Sequence, residues 1–207
     1  MKDHSIIFLG SEPLKDKDTI ARVLSYFTMP PNDLPNRILQ SFTPPVWSRH
    51  VRVDFLGPCL AFILLATVLG YGHAYKVSSA VYHRSPSEVL VMYCVLMPAI
   101  CFVLTNLGQS SISFVQILSL LGYGLYGYVF TLFTSFVSDE TNNIVFYLAM
   151  ILFTGASVLR ICLIILLTIK LPAVRLLVCS IIAILQVLFV VFLYFTYVHS
   201  SFVFIKH

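Results

Sequence analysis

Charge is what this sequence has least of. Asp, Glu, Lys and Arg make up 11% of its 207 residues, against roughly 25% in soluble domains. That is too little to cover the surface of a water-soluble protein of this length. With 58% apolar residues and a mean hydropathy of +0.91, the chain reads as a membrane protein. Basic runs are missing as well. The net charge of +4 is spread out, so nothing points to nucleic acid. Asn-x-Ser/Thr sequons are absent, and Ile6–Leu9 is too short for the apolar core of a signal peptide.

Chemistry-bearing constellations are missing too. The cysteines are Cys59, Cys94, Cys101, Cys162 and Cys179, all in apolar runs and none spaced Cys-x-x-Cys. They read as buried, reduced thiols used as small hydrophobes. His73, His83, His199 and His207 show no zinc-ligand spacing, so no metal site is expected. The one carboxylate pair, Asp139-Glu140, is adjacent in a loop and points apart. No Ser, His and Asp set stands out. The residues therefore suggest neither catalysis nor a cofactor.

What is there in quantity is long apolar sequence. Residues 1–53 form a polar head holding Lys2, Lys15, Lys17, Arg22, Arg37, Arg49 and Arg52, and most of the acids. Asp18-Thr19 would cap a short helix whose Ile20, Val23, Leu24 and Phe27 form one stripe, ended by Pro30-Pro31. Arg37–Phe42 is a second short turn, closed by Pro44-Pro45. Such amphipathic pieces would lie on a bilayer, on a partner or against each other. Apolar runs follow at about 54–75, 88–106, 112–137, 144–169 and 173–198. Each reaches the roughly 20 residues that cross hydrocarbon as a helix. Continuous runs exclude the alternating pattern of a barrel. The expected fold is an all-α integral membrane bundle of five transmembrane helices, antiparallel neighbour to neighbour, with a short tail at 200–207. With the head in the cytosol, the inner side holds Arg37, Arg49, Arg52, Lys170 and Arg175, and the outer side Lys76, Arg84 and Lys206. The balance of Lys and Arg favours a cytosolic N-terminus and a lumenal C-terminus.

The third run contains GYGLYG at 122–127, the spacing of a dinucleotide-binding fingerprint. That fingerprint needs a strand before it and a helix after it. Here apolar span lies on both sides, and Asp139 and Glu140 sit in the loop beyond. A helical wheel gives another account. Ser113, Gln116, Leu120, Gly124, Gly127, Thr131 and Ser135 follow steps of three and four. Small residues let helix backbones approach in a membrane, and polar ones bond across the contact. The stripe marks a helix–helix contact, within the subunit or between subunits. A flexible break in the helix is the alternative.

One charge lies well inside a run. Arg160 is ten residues before Lys170, roughly 15 Å along a helix. A mid-helix Arg costs about 2.5–3.5 kcal/mol on insertion scales. It either snorkels to headgroups or forms an intramembrane ion pair with Asp54, which starts the first span on the same side.

Several segments together resemble the Yip-domain (Ypt/Rab-interacting protein) family. Asp54-Phe55-Leu56-Gly57-Pro58 is similar to the opening of that family's first span. Ser119-Leu120-Leu121-Gly122-Tyr123-Gly124-Leu125-Tyr126-Gly127 is similar to its third-span Leu-Gly-Tyr motif, in the form of the member-three branch. Leu159-Arg160, Arg175–Cys179 and the juxtamembrane Arg37–Pro44 resemble the same branch. The resemblance implies a non-catalytic multi-pass protein of Golgi or ER–Golgi membrane with a cytosolic N-terminus. It implies assembly with another Yip-family membrane protein, as hetero- or homo-oligomer, and contact with a prenylated Rab GTPase. Its expected role is in vesicle trafficking and the maintenance of Golgi structure. The branch also includes receptors for autophagy of Golgi membrane. The head carries no acidic aromatic-x-x-aliphatic motif for that role, Tyr26–Met29 being the nearest match. The rival reading is a small transporter or lipid-handling protein. It predicts a polar cavity at mid-bilayer lined by Gln116, Tyr126, Thr131 or Arg160.

Overall fold

A computed structural model of the chain describes residues 7–9, 27, 33–43, 50–76, 85–138 and 143–198. The expected cap at Asp18-Thr19, the stripe residues Ile20, Val23 and Leu24, and the 200–207 tail lie outside the described residues. The architecture is a bundle of five helices long and apolar enough to cross a membrane. They are α2 (Leu56–Lys76), α3 (Pro86–Leu107), α4 (Phe114–Val137), α5 (Asn143–Thr168) and α6 (Pro172–Val198). A shorter helix, α1 (Leu34–Phe42), precedes them. Two three-residue strands, β1 (Ile7–Leu9) and β2 (His50–Arg52), pair in parallel with Ile7 opposite His50. The sequence reading did not foresee this ladder. Parallel strands need a long crossover, and the stretch of chain between Leu9 and His50 is long enough for one.

The helix ends follow local chemistry. Pro86 and Pro172 open α3 and α6, where a missing N–H costs nothing. The Ser85 hydroxyl accepts from the Glu88 N–H at 3.4 Å. α3 closes at Gly108, and Gln109 turns the chain with φ 55°. α4 opens on a reciprocal cap. The Ser113 hydroxyl accepts from the Gln116 N–H at 3.4 Å, while the Gln116 side chain accepts from the Ser113 N–H at 2.9 Å.

α4 is the central element. It has the lowest hydropathy of the five spans and the largest buried share, 67% against 28–39% for the others. A helix enclosed by protein can carry polar and small residues that lipid would penalise. Its Leu121, Leu125, Tyr128 and Leu132 join Leu65 and Leu69 of α2, Leu90 of α3, Phe146 and Ile164 of α5 and Ile182 of α6 in one core.

At the middle of the bundle α3, α4 and α6 meet on Gln186. Tyr93 donates to Gln186 Oε1 at 2.7 Å, and Tyr128 donates to the same oxygen and to the Gln186 carbonyl. Phe189 stacks on Tyr93 at 3.9 Å. α5 widens to a π-turn at Met150–Thr154, where the Gly155 N–H bonds to the Met150 carbonyl. α6 ends in a second π-turn, Tyr194–Val198, with Tyr194 stacked on Phe146 at 3.7 Å.

The one Tyr128 proton is shared between the side-chain and main-chain oxygens of Gln186, whereas that of Tyr93 goes to the side chain alone, so Tyr128→Phe leaves two acceptors short and is expected to destabilise the bundle more than Tyr93→Phe. The cost is about 1 kcal/mol, within the range for interhelical bonds in membranes. Unfolding of the two purified variants in detergent checks the ranking.

Candidate functional site

The sequence places one carboxylate at the mouth of α2, and the fold buries it. Asp54 is 4% exposed. A buried carboxylate is tolerated only when its oxygens are fully bonded, and this one is. Arg37 of α1 donates to Oδ2 in a salt bridge. The Tyr123 hydroxyl, from α4, lies 2.9 Å from both oxygens. The Gly57 N–H donates to Oδ1 at 3.3 Å, capping the first turn of α2. Two more bonds tie the same turn to α4. Ser119 donates to the Asp54 carbonyl at 2.9 Å, and Tyr126 donates to the Gly57 carbonyl at 3.0 Å.

Glycines allow this approach. A Cβ on Gly57 would collide with the Tyr123 ring and hydroxyl. A Cβ on Gly122 would sit 2.5 Å from the Pro58 Cβ. The Gly-Pro pair of α2 and the Gly-Tyr pair of α4 thus interlock, each glycine receiving a side chain from beside the other. The sequence noted both motifs separately, and their meeting was not legible from either. Gly122 falls off the stripe on the wheel because it faces α2, whereas the stripe faces α5.

The stripe itself divides. Gly124, Gly127 and Thr131 pack on α5 within the chain. A Cβ on Gly127 would lie 2.9 Å from the Ser157 Cβ and 3.1 Å from the Phe153 carbonyl. One on Gly124 would meet the flexible end of Ile161 at 2.9 Å. Ser157 donates to the Gly124 carbonyl at 3.3 Å. The Thr131 and Thr154 hydroxyls are 2.9 Å apart, and Thr131 also reaches the Ala149 carbonyl, at 3.3 Å, beside the π-turn. Leu120 is buried and Ser135 half-buried. Ser113 and Gln116 bond each other in the α4 cap instead of bonding across a helix contact. The Ser-x-x-Gln spacing carried that signal.

The expected Asp54–Arg160 pair does not form. Arg37 takes the carboxylate instead, and the Arg160 Nε and Nη1 are buried without a hydrogen-bond partner. The reason is α1. Counting charges span by span left out a helix of the N-terminal segment that docks on the bundle. α1 buries Ser41 and sets Phe42 edge-on to Phe130 of α4 and Phe153 of α5, with ring centroids 5.6 and 6.3 Å apart. It therefore lies along α4 and α5, its Leu39 facing outward.

A cavity of about 660 Å³ opens between α2, α3 and α4, lined by apolar groups including Phe62, Pro98, Leu121 and Leu125. Gln116, Tyr126, Thr131 and Arg160 do not line it. All five cysteines are free thiols. Among the described residues no cluster of three or more His, Cys, Asp or Glu could hold a metal ion.

Compared with known proteins, residues 31–198 match a family model described as the YIPF3 C-terminal domain. The matched stretch begins just before α1 and ends with α6. No solved structure matches the chain.

The contacts around Asp54 and along α4 set what substitutions should do. Arg37→Gln strands a carboxylate that cannot reach water, whereas Asp54→Asn leaves a half-buried Arg37 free to swing out. Arg37→Gln is therefore expected to cost more, about 3 kcal/mol, with the double variant recovering part of it in a thermodynamic cycle. In Asp54→Asn, α1 loosens, so limited trypsin digestion should cut at Arg37 faster than in the parent. Among the three glycines of α4, alanine substitutions should rank by how rigid the obstructing atoms are. Gly122→Ala, against a proline ring, is expected to cost most, at about 1–3 kcal/mol. Gly127→Ala comes next and Gly124→Ala last, as read from melting in detergent.

Proposed function

The chain belongs to the YIPF3 C-terminal-domain family, and on that premise we propose that it is a non-catalytic Golgi or ER–Golgi membrane protein acting in vesicle trafficking. It helps maintain Golgi structure by associating with another Yip-family subunit. The N-terminal segment faces the cytosol, where it meets soluble factors, a prenylated Rab GTPase among the candidates. The C-terminus faces the lumen. The observation that carries this reading is the family match over residues 31–198. It spans the docked helix and all five spans together.

The interior supports association over transport. Three of the four polar side chains that a transporter reading would line up along a pathway are spent on structure. Gln116 caps α4, Tyr126 holds the Gly57 carbonyl, and Thr131 bonds Thr154. The glycines of the stripe are occupied inside the subunit, which leaves the outer faces for partners. Those faces are apolar, with Ile63 and Leu64 on α2, Val91 and Val95 on α3, and Leu176 and Leu177 on α6 exposed.

Proximity labelling from the N-terminus, with localisation in the same cells, tests the proposal. The expected result is Golgi-surface proteins of the cytosolic face together with a second Yip-family protein. Labelling of lumenal proteins, or a steady location away from the early secretory pathway, would reject it.

A further inference from the structure

Among the described residues two side chains hold buried donors without a partner, Gln186 at Nε2 and Arg160 at Nε and Nη1, and Arg160 is the charged one. It sits on α5 eight residues before the helix ends at Thr168, about 12 Å along the axis. Tyr123 lies nine residues into α4, and the residues next to the two make contact, a Cβ on Gly124 falling 2.9 Å from the Ile161 Cδ1. Both therefore lie at one level of the bundle, on the side where α1 docks. The cluster at that level holds two guanidinium groups, Arg37 and Arg160, and one carboxylate, Asp54. Arg37 and the Tyr123 hydroxyl already use that carboxylate. Arg160 keeps a positive charge with no counter-charge among the described residues.

A guanidinium carries five N–H donors and no acceptor. Those on Nε and Nη1 are buried and unbonded, while the side chain as a whole keeps partial exposure. The group is thus walled in on one side and open on the other. The neighbouring Leu159 and Leu167 of α5 are 54% and 48% exposed, so acyl chains run past this part of the helix. What reaches an open guanidinium from a bilayer is an ionised phosphate, the group whose geometry Arg matches with paired N–H donors. A partner's carboxylate would itself have to be carried into the membrane.

We propose that Arg160 binds the phosphate of a membrane phospholipid, drawn into the bundle on the α1 side beside Tyr123, with its acyl chains along the outer face of α5. The site neutralises the one unpaired charge of the cluster. It makes this lipid an integral part of the fold, distinct from the surrounding bilayer.

The full chain, purified in uncharged detergent, is titrated with phosphatidic acid, with diacylglycerol as the phosphate-free control and with inorganic phosphate. Melting temperature is the readout. Phosphatidic acid at about 100-fold over its Kd is expected to raise it by roughly 5–10 °C, and diacylglycerol is expected to leave it unchanged. Arg160→Gln should abolish the rise, Arg160→Lys should keep part of it, and the exposed Lys170→Gln should keep all of it. If Arg160→Gln does not fold, the parent and Arg160→Lys decide: equal responses to the two lipids would overturn the proposal. So would a full response in Arg160→Gln, or the same protection by inorganic phosphate alone. A photo-crosslinker at position 159 that captures a protein subunit and no lipid in cell membranes would overturn it as well.

Discussion

The rest of the bundle hangs on a carboxylate that has nowhere to go. Asp54 stands where the chain enters the membrane, and the fold surrounds it with Arg37, Tyr123 and the Gly57 N–H. Each of those bonds brings a different element with it. Arg37 brings α1, Tyr123 brings α4, and Gly57 fixes the start of α2. Removing water from a charge costs several kcal/mol unless its bonds are replaced, so the three elements are not free to part. In a membrane this matters more than in water, because no hydrophobic force draws one apolar helix to another. Polar bonds and close packing supply the order that hydrophobic burial supplies elsewhere.

The long elements were legible for a simple reason. Hydrocarbon thickness sets a minimum run of apolar residues, and the observed helix ends fall within two residues of the ends of the apolar runs. The glycine stripe was legible as a face, since Gly124, Gly127 and Thr131 share one side of α4 and meet one helix. Which helix they meet was not. Nor was the pairing of Gly57-Pro58 with Gly122-Tyr123, since a wheel describes one helix and says nothing of its neighbours. The misplaced ion pair has the same origin. Asp54 and Arg160 are the opposite charges that the apolar runs place on one side, but Arg37 lies 17 residues before Asp54 in a segment that carries no span signal. Its docking depends on Ile38, Ser41 and Phe42, a stripe too short to assert itself in sequence.

α4 shows how composition and position are linked. A span with three glycines, three tyrosines and several hydroxyls would be a poor helix facing lipid. Enclosed by its neighbours, it satisfies each group internally: the Tyr123, Tyr126 and Tyr128 hydroxyls all find acceptors on α2 or α6 or in the loop before α2. The π-turn of α5 belongs to the same accommodation, since Thr131 reaches the Ala149 carbonyl beside it. Wide turns of this kind expose backbone acceptors that a regular α-helix keeps to itself.

The knot at Asp54 also has a history in time. Its acceptor and its donor from α4 are 69 residues apart, and the chain is made from the N-terminus at about 5–20 residues per second. For roughly 3–14 s of synthesis, Asp54 has been made and Tyr123 has not. Through that interval the partners of Asp54 already made are Arg37 and the Gly57 N–H. Both halves of the ion pair are thus in the chain before the α4 residues that bury it, so α1 is available as the carboxylate's escort before it is part of the bundle wall.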